Sequence, residues 1–412
     1  MGFRRAGIRA QLLAPTELRG AGLRGSELQG AMPVLIVATF VGASGIHFQT
    51  PMLGAMALEF GADAAAIGWI PTLTFGGFLG GILFLVPLGD RIDKRRLILG
   101  QCFGAIGALL AAAAAPNLAT EAAAGFLIGM LSCFAQTIVP FGAELAPPGE
   151  RGHAVGTILT ALFLGVLFAR ITGGVVAAHF GWRWMYVIGA GMLAAIMPAL
   201  ISRLPRTTPK TDLAYPALIG SIFALVRRYA EMRRVMAIQL LLGVCYGGFW
   251  ATIATMLLRD HGLGSAVAGL IGIPGAAGIL VARPAGRWMD LRGPWLIVTL
   301  GISIILAAYA VFALGVWSVI ALPIGAALLD CGLRGAMVPN QTVVNSLAAD
   351  ARSRSNTVFG MSVWTGNALG AFAASTVYAH SGWLAVCGMS GFAALLALGV
   401  QLRARRAATL SA

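Results

Sequence analysis

The stretch that decides the fold runs from Pro87 to Arg96 and reads PLGDRIDKRR, a short polar segment between two long apolar runs. A related segment, AGRWMDLRG, also lies between apolar runs, and its Asp290 follows Asp90 by 200 residues. Trp182 and Trp383, each within an H-x-G-W sequence, keep an offset of 201. The sequence therefore contains one half-length unit that has been used twice.

The composition identifies a membrane protein. Of the 412 residues 58% are apolar and 11% are charged, and the mean hydropathy is +0.84, far more apolar surface than a soluble core needs. The five cysteines lie in apolar runs without CxxC spacing, so neither a disulfide framework nor a metal site is indicated, and no cofactor is expected. A formal charge of +14 would suggest nucleic acid for a soluble protein. In a membrane protein the location of the charge matters more than its sum, and no nucleic-acid partner is expected.

The apolar runs predict twelve membrane-spanning helices. A helix needs about 20 apolar residues to cross a hydrocarbon core of about 30 Å, and polar or Gly/Pro joints divide the chain into twelve such segments. We place these spans near 32–56, 65–88, 97–115, 120–142, 154–178, 184–202, 235–257, 266–286, 295–313, 317–340, 355–378 and 383–402. The residues outside them, 1–31 and 403–412, are interpreted as tails.

The basic residues predict the orientation of the spans. Of the 29 Lys and Arg, 24 lie in the tails and in the loops that follow even-numbered spans. Only Arg183 and Arg259 lie in loops that follow odd-numbered spans, on the other side of the membrane. Because basic loops stay in the cytoplasm, this distribution predicts cytoplasmic termini in a multi-pass protein of the bacterial inner membrane. The lipid bilayer is thus the first expected partner, and the positive charge acts as a topological signal.

The longest interruption, from Arg203 to Arg234, separates six spans from six. It opens with a Pro- and Thr-rich stretch and continues as YPALIGSIFALVRRYAEMRR, whose apolar face and basic end suit a short amphipathic helix on the inner leaflet. The expected domains are a six-helix bundle over 32–202, a cytoplasmic linker over 203–234 and a second six-helix bundle over 235–402.

PLGDRIDKRR resembles the signature of the loop between spans 2 and 3 in the major facilitator superfamily, G-x-L-[GA]-D-R-x-G-[RK]-[RK]. Val86 and Asp93 replace its two glycines. The positions that fit are Leu88, Gly89, Asp90, Arg91, Lys94 and Arg95. The resemblance implies an all-α membrane fold of twelve helices in two pseudo-symmetric six-helix bundles.

The same resemblance implies a cytoplasmic gate. In that superfamily this loop contacts the start of span 11, which here is Ser355-Asn356-Thr357. A carboxylate at a helix N-terminus is stabilised by the helix dipole, and such a contact exists in only one of two bundle orientations. The alternative is a basic loop that only sets the topology. The expected gate residues are Asp90, Arg91, Arg95 and, in the second half, Asp290.

Span 5 resembles the antiporter signature G-x-x-x-G-P-x-x-G-G. Gly165, Gly173 and Gly174 match it, whereas Ala169 and Arg170 stand where Gly-Pro is expected. Small residues at four-residue spacing permit close helix contact, so the glycines serve either packing or a hinge. Gly366 and Gly370 repeat the pattern in span 11.

The whole span region is similar to the twelve-span drug and sugar efflux branch of that superfamily. That branch commonly has an Arg in span 4, four residues before a Gly, which is tied to proton transfer. Here Gly125 occupies the position four residues before Gly129. Drug/proton antiport is therefore not carried over unchanged.

Charged residues inside the spans are the first functional candidates. Each costs about 2.5–3.5 kcal/mol at a helix centre and would rarely persist without a use. Arg170 lies in span 5, and Asp330 and Arg334 share one face of span 10 because they are four residues apart. They serve either proton coupling or a structural ion pair. His47 in span 1 is a further proton-coupling candidate, although a lone histidine is more often a satisfied core residue.

Uncharged polar and aromatic side chains at cavity depth are the expected substrate contacts. Gln49, Gln136 and Asn367 are the polar candidates. Trp250 and Trp364 lie in the middle of corresponding spans, where tryptophan packs or stacks on a ligand rather than anchoring in headgroups.

These patterns predict a secondary active transporter that works as a monomer by alternating access. Efflux of a small, partly apolar compound against proton entry is expected first, because the span 5 signature is that of exporters. Proton-coupled uptake and a non-transporting membrane sensor or assembly partner are the alternatives. The chain has no P-loop to bind ATP, and five scattered histidines do not form an enzyme's active site, so no enzymatic activity is expected.

Overall fold

The computed structural model describes residues 25–147, 150–208, 215–347 and 352–410. Within these ranges eleven helices are long and apolar enough to cross a membrane, and the last of them is 51 residues long. Gly382, with φ 72° and ψ −172°, is not helical and divides that last helix into two, which makes twelve spans. The spanning helices are α1 Gly30–Phe60, α2 Ala64–Leu88, α3 Lys94–Ala113, α4 Leu118–Leu145, α5 Arg151–Phe180, α6 Trp182–Arg203, α7 Ala230–His261, α8 Ser265–Arg292, α9 Pro294–Val316, α10 Ala321–Leu347, α11 354–381 and α12 383–404.

The prediction of twelve spans in an all-α membrane protein is therefore confirmed. Most of the helices extend past the predicted spans by several residues, most of all at the ends of α10 and α8. A helix does not need apolar residues once it has left the hydrocarbon layer, so hydropathy alone ends a span too early.

Several spans change their hydrogen-bonding pattern at an internal Pro or Gly. α1 contains a 3-10 turn, Thr50–Met52, around Pro51, and α2 contains a π-helical turn, Gly81–Leu85, just before Pro87. Proline has no N–H to continue the α-helical ladder, and such turns absorb the missing bond. α4 is interrupted at Cys133, without a proline.

The first six and last six spans form two halves that are joined by residues 204–208 and a linker helix, Tyr215–Arg228. The linker helix buries Ile222 and Leu225 in a cluster with Val358 and Phe359 of α11, so these apolar residues lie against protein. The hydroxyl of Tyr215 donates a 2.5 Å hydrogen bond to the carbonyl of Phe84 in α2. Burial raises the pKa of Tyr215, so this hydroxyl stays a donor at neutral pH.

The two halves meet most tightly at one end of the molecule. We call the end at which α1 begins the terminal face and the other end the opposite face. At the opposite face a methyl group on Gly68 of α2 would lie 2.2 Å from the Cβ of Ser375 in α11. One on Gly174 of α5 would lie 2.4 Å from the carbonyl oxygen of Ser265 in α8. No L-residue larger than glycine fits these contacts without a shift, so the halves are closed together at the opposite face.

Candidate functional site

The three charged residues predicted within the spans lie together between the two halves. Arg170 on α5 comes from the first half, and Asp330 and Arg334 on α10 come from the second. With Tyr246 of α7 and apolar or glycine residues of α5 and α8 they line a cavity of about 20 Å³, enough for roughly one water molecule. This cavity is the candidate site.

Arg170 is held across the interface by aromatic groups of α7. Its side chain is buried, Nη2 donates a 2.6 Å hydrogen bond to the Tyr246 hydroxyl, and its Cζ lies 3.4 Å from the ring centroid of Trp250. A guanidinium over an indole face gains a cation–π attraction that strengthens when water is excluded. Trp250 was predicted as a substrate contact, whereas Tyr246 was missed because a tyrosine within an apolar span has no distinguishing pattern.

Asp330 and Arg334 are neighbours without a close ion pair. Arg334 Nη2 lies 3.9 Å from Asp330 Oδ1, which is outside hydrogen-bond range. The Arg334 guanidinium instead lies 4.5 Å from the ring centroid of Phe163 on α5 and 3.6 Å, through Nη1, from the weak acceptor Sδ of Met337. The carboxylate therefore lies beside a positive charge without being hydrogen-bonded to it.

Four buried polar atoms at the cavity have no hydrogen-bond partner among the described residues. They are Arg170 Nε, Trp250 Nε1, Asp330 Oδ2 and Arg334 Nε. A buried polar atom left unpaired destabilises a protein by about 1–3 kcal/mol. Such a concentration of unpaired atoms around one small cavity indicates a site that binds a further group.

Glycines of α8 make the room for the cavity. A methyl group on Gly272 would lie 2.8 Å from Cβ of Arg170, and one on Gly275 would lie 3.1 Å from the Trp250 ring and 3.4 Å from Asp330 Oδ2. The sequence signal, IGIPGAAG at 271–278, was visible but looks like any glycine-rich packing segment.

Residues 35–360 match the model of the Major Facilitator Superfamily. The chain belongs to this superfamily. The uncharacterized transporter YgaY of Escherichia coli O157:H7 is 35% identical over 363 residues, which cover 88% of this chain and 92% of that protein. The multidrug resistance protein B homolog of Mycobacterium tuberculosis is 25% identical over 382 residues, covering 76% of this chain and 69% of that protein.

The solved structures agree on the major facilitator fold. A bacterial homolog of the human lysosomal transporter Spinster, in an inward-facing and unoccupied conformation, superposes with a TM-score of 0.76 at 14% identity. The superposition covers 93% of this chain and 98% of that one. The expected superfamily, its fold and a transporter rather than an enzyme are thereby confirmed, and the chain is a multi-pass membrane protein with a small-molecule substrate.

His47 and Trp364 lie outside the cavity of this superfamily member. The His47 ring centroid is 6.4 Å from that of Trp364, and Trp364 lies 4.3 Å from Phe78 of α2, in a cluster between the two halves. Nδ1 of His47 is 3.0 Å from the carbonyl oxygen of Ala43. Neither residue lines the cavity in this conformation.

The predicted polar contacts are also not among the residues that line the cavity. Gln49 accepts a 3.0 Å hydrogen bond from Thr74, and its Nε2 has no partner among the described residues. Asn367 is buried against α7, and its Oδ1 is likewise unpaired there. Gln136 is partly buried in α4, just beyond the break at Cys133. Their contact with substrate stays a prediction.

The superfamily's loop between α2 and α3 is attached to its own half in this conformation. Lys94 pairs with Glu144 of α4 at 2.7 Å, and the carboxylate of Asp93 accepts a 2.9 Å bond from the backbone of Thr207 after α6. Arg95 donates to the carbonyl of Ile201 near the end of α6. Sequence reasoning missed these partners, which lie some 50 to 110 residues away.

The contact between this loop and α11 is not formed here. Within the described ranges, Asp90, Arg91 and Asp290 form no side-chain hydrogen bond or ion pair, and the hydroxyl of Ser355 at the start of α11 has no partner. Asp90 therefore remains available for the gate contact, which the sequence places in one of the two orientations only.

The predicted glycines of α5 and α11 lie at close helix contacts. A methyl group on any of them would come within 3 Å of a backbone oxygen on another helix. Gly165 and Gly173 face the backbone oxygens of Phe40 and Phe48 of α1, and Gly174 faces that of Ser265 of α8. Gly366 and Gly370 face the backbone oxygens of Leu240 and Val244 of α7.

A second buried carboxylate, Glu121, lies in α4. It is fully buried, its Oε1 accepts a 2.7 Å hydrogen bond from the hydroxyl of Tyr186 on α6, and Oε2 has no partner among the described residues. Sequence reasoning missed it because an acidic residue at the start of a span usually lies at the membrane surface. Its position inside the predicted span 120–142 was the available signal.

Proposed function

We propose that this chain is a proton-coupled secondary active transporter that moves a small, partly apolar compound by alternating access, with efflux as its physiological direction. The observation that carries the proposal is the cavity between the halves, where Asp330 lies buried beside Arg170 and Arg334 with unpaired polar atoms. A buried acid next to competing positive charges is what a proton-coupling site requires.

The position of the cavity supports alternating access. Arg170 and Phe163 come from the first half, while their partners Tyr246, Trp250 and Arg334 come from the second. If the halves rock apart at the terminal face, these contacts separate and water reaches Asp330 from that side. The opposite movement opens the helix contacts at Gly68 and Gly174 and exposes the carboxylate to the other side.

Asp330 is the proposed proton carrier, and Arg170 and Arg334 are its competitors. In the proposed cycle the carboxylate takes a proton while it faces outward, the halves rock, and the proton leaves inward when a guanidinium again neutralises the charge. His47 is the next candidate, since it lies in the contact between α1, α2 and α11.

The proposed location is the bacterial inner membrane, with the terminal face in the cytoplasm. The asymmetric distribution of Lys and Arg supports this orientation. It would place both termini and the linker helix inside the cell. Each monomer also contains a complete cavity.

Efflux is supported by relatives named multidrug resistance proteins and by the exporter-like signature of α5. The second candidate is proton-coupled uptake. The excess of unpaired donors over acceptors at the cavity favours it, because such a site suits a compound that binds together with a proton.

Inverted membrane vesicles test the proposal. Addition of a transported compound should cause proton movement across the vesicle membrane, and an imposed pH gradient should drive accumulation of the compound. Accumulation that ignores the pH gradient, with no proton movement for any compound in a broad panel, would reject proton coupling.

A further inference from the structure

We propose that the transported compound is an organic anion whose acidic group binds between Arg170 and Arg334, and that it moves in the same direction as the proton. The inference rests on the proposed function in one respect, the assignment of the proton to Asp330. It adds the charge of the substrate and the sign of the coupling. Because the proton enters the cell in the proposed cycle, transport in the same direction is uptake, so the inference favours the second candidate function over efflux.

The hydrogen-bonding groups of the cavity are mostly donors. Arg170 Nε and Arg334 Nε belong to lining residues, and Trp250 Nε1 belongs to the ring that packs against Arg170. These three buried donors have no partner among the described residues, and Asp330 Oδ2 is the acceptor that is unpaired there. Arg170 is 3% exposed, Trp250 2% and Asp330 4%, so water does not complete these bonds from the surface. An acceptor-rich group, such as a carboxylate, sulfonate or phosphonate, would satisfy the donors.

The charges favour the same type of ligand. Two guanidinium groups and one carboxylate leave an excess positive charge in a low-dielectric site, where charge is costly. The other lining residues carry no charge that would cancel this excess positive charge. α7 contributes the neutral Tyr246, and α8 contributes only Gly272, Gly275, Ala276 and Ile279 to the lining. An anion neutralises the excess, whereas a cation increases it.

The walls of the cavity suit an apolar body next to the acidic group. Arg170 already lies on the Trp250 ring and Arg334 near the Phe163 ring, and Leu167 lies on the same wall. The present volume of about 20 Å³ has room for only about one water molecule, so binding of the ligand requires the halves to separate. Recognition therefore belongs to a state that is open at one face.

The sign of the coupling follows from competition for the guanidinium groups. In the empty site the Asp330 carboxylate is neutralised by Arg334 and Arg170. A bound anion adds a second negative charge beside Asp330 and competes with it for those guanidinium groups, so the carboxylate takes up a proton more readily. By linkage, proton binding then strengthens anion binding by the same factor by which anion binding strengthens proton binding. The two ligands bind together, which is cotransport. A cationic substrate would instead displace the proton, which is antiport.

Three probes that share a phenyl ring and differ in charge test the inference in the purified full-length chain in detergent micelles. Benzenesulfonate is an anion at every working pH, benzamide is neutral and benzyltrimethylammonium is a permanent cation. At equal ligand concentration, tighter binding raises the unfolding temperature more, and the measurement needs no transport. We expect benzenesulfonate to stabilise the chain more than the other two.

Matched variants assign the binding to the site. Arg170→Gln and Arg334→Gln should each weaken benzenesulfonate binding by about tenfold to a hundredfold, because each removes a charge-assisted contact. Arg170→Lys should recover part of the loss, since the charge is restored without the planar donor group. Arg259→Gln is the control, because Arg259 is an exposed arginine near the end of α7, far from the cavity.

The pH dependence separates an anion site from a proton-linked anion site. Because benzenesulfonate does not titrate, its affinity should rise by up to about tenfold per pH unit as the pH falls, reflecting one linked proton. Asp330→Asn should bind it with the low-pH affinity of the parent at every pH. If the dependence persists in Asp330→Asn, the proton resides elsewhere and the inference is wrong about the coupling.

Stabilisation by the cation alone, by all three probes equally or by none of them would overturn the inference. The proposed function is tested separately in liposomes that contain the chain and an internal pH dye. Binding of benzenesulfonate as described, without proton movement, would reject proton coupling and leave the anion site standing. Proton movement driven by benzyltrimethylammonium would reject the anion site and leave proton coupling standing.

Discussion

The three charged side chains of the cavity are the residues whose energetic cost requires a function. Arg170, Asp330 and Arg334 each destabilise a spanning helix by about 2.5–3.5 kcal/mol. Between them they form one strong hydrogen bond to protein, from Arg170 to Tyr246, and the nearest ion-pair distance is 3.9 Å. A purely structural pair would be expected to satisfy its own atoms, so we propose that the three residues act in binding and proton transfer.

Replacing Asp330 tests that assignment. Asp330→Asn should leave the chain folded, because a neutral amide costs less to bury than a charge, and should abolish proton-driven accumulation while substrate binding survives. Proton flux and accumulation are measured in the same vesicles. A variant that still concentrates the compound against its gradient, with unchanged proton flux, would return Asp330 to the structural ion pair and leave His47 as the next candidate.

Glu121 is the matched buried carboxylate away from the cavity. Its Oε1 accepts a hydrogen bond from the Tyr186 hydroxyl, and the oxygen of an amide side chain can accept the same bond. Glu121→Gln should therefore keep proton-coupled transport and change the unfolding free energy by less than about 1 kcal/mol, whereas Glu121→Ala should cost about 1–3 kcal/mol by leaving the Tyr186 hydroxyl unpaired. Thermal unfolding and proton flux check this, and loss of coupling in Glu121→Gln would make Glu121 a second proton site.

At the scale of elements, α5 decides how closely the halves approach at the opposite face. Gly174 faces the backbone of α8, and a methyl group there would lie 2.4 Å from the Ser265 carbonyl oxygen. Gly156 on the same helix has no atom within 4 Å of the position a methyl group would take. Alanine substitutions at Gly174 and at Gly156 therefore separate the effect of crowding between helices from the effect of helix propensity.

Gly174→Ala should destabilise the conformation closed at the opposite face by about 1–3 kcal/mol, the usual cost of overpacking. Gly156→Ala should stabilise the helix by about 0.5–1 kcal/mol through propensity and leave the conformation unchanged. Spin labels on the α5–α6 and α7–α8 loops report the separation of the halves. Identical distance distributions in the two variants would show that this contact does not control closure.

At the scale of the whole molecule, we propose that the gate contact of Asp90 forms in a conformation other than the one described here. Here the halves are closed at the opposite face and Asp90 forms no side-chain bond to the described residues. Asp90→Asn should weaken its attraction to the start of α11 by about 0.3–1 kcal/mol and shift the population a few-fold toward the state open at the terminal face. Label distances across the terminal face that match those of the parent would contradict the gate.

The orientation in the membrane is a second whole-molecule prediction. An impermeant thiol reagent added outside the cell should modify a cysteine introduced at position 60 or 262 and should not modify one at position 210, which lies outside the described residues. The native cysteines are buried or partly buried, so background labelling should be low. Labelling of position 210 from outside would reverse the topology.

The sequence by itself determined the class of protein, the number of spans and their approximate bounds. These follow from local properties, because a bilayer requires each crossing segment to be apolar and to satisfy its own backbone bonds. The resemblance of PLGDRIDKRR to the superfamily signature was equally local. Even the break between α11 and α12 was placed correctly, since Gly382 and its polar neighbours interrupt the apolar run.

Only the tertiary structure decided which side chains share the cavity. The contact of Arg170 with Tyr246 joins residues 76 positions apart, and the bond of Glu121 to Tyr186 joins residues 65 apart. His47 was predicted alongside Arg170 but lies with Trp364 instead. In a lipid-embedded helix, hydropathy specifies how deep a residue lies but not which neighbour it faces, because rotation about the helix axis is set by the close packing of many small residues against other helices.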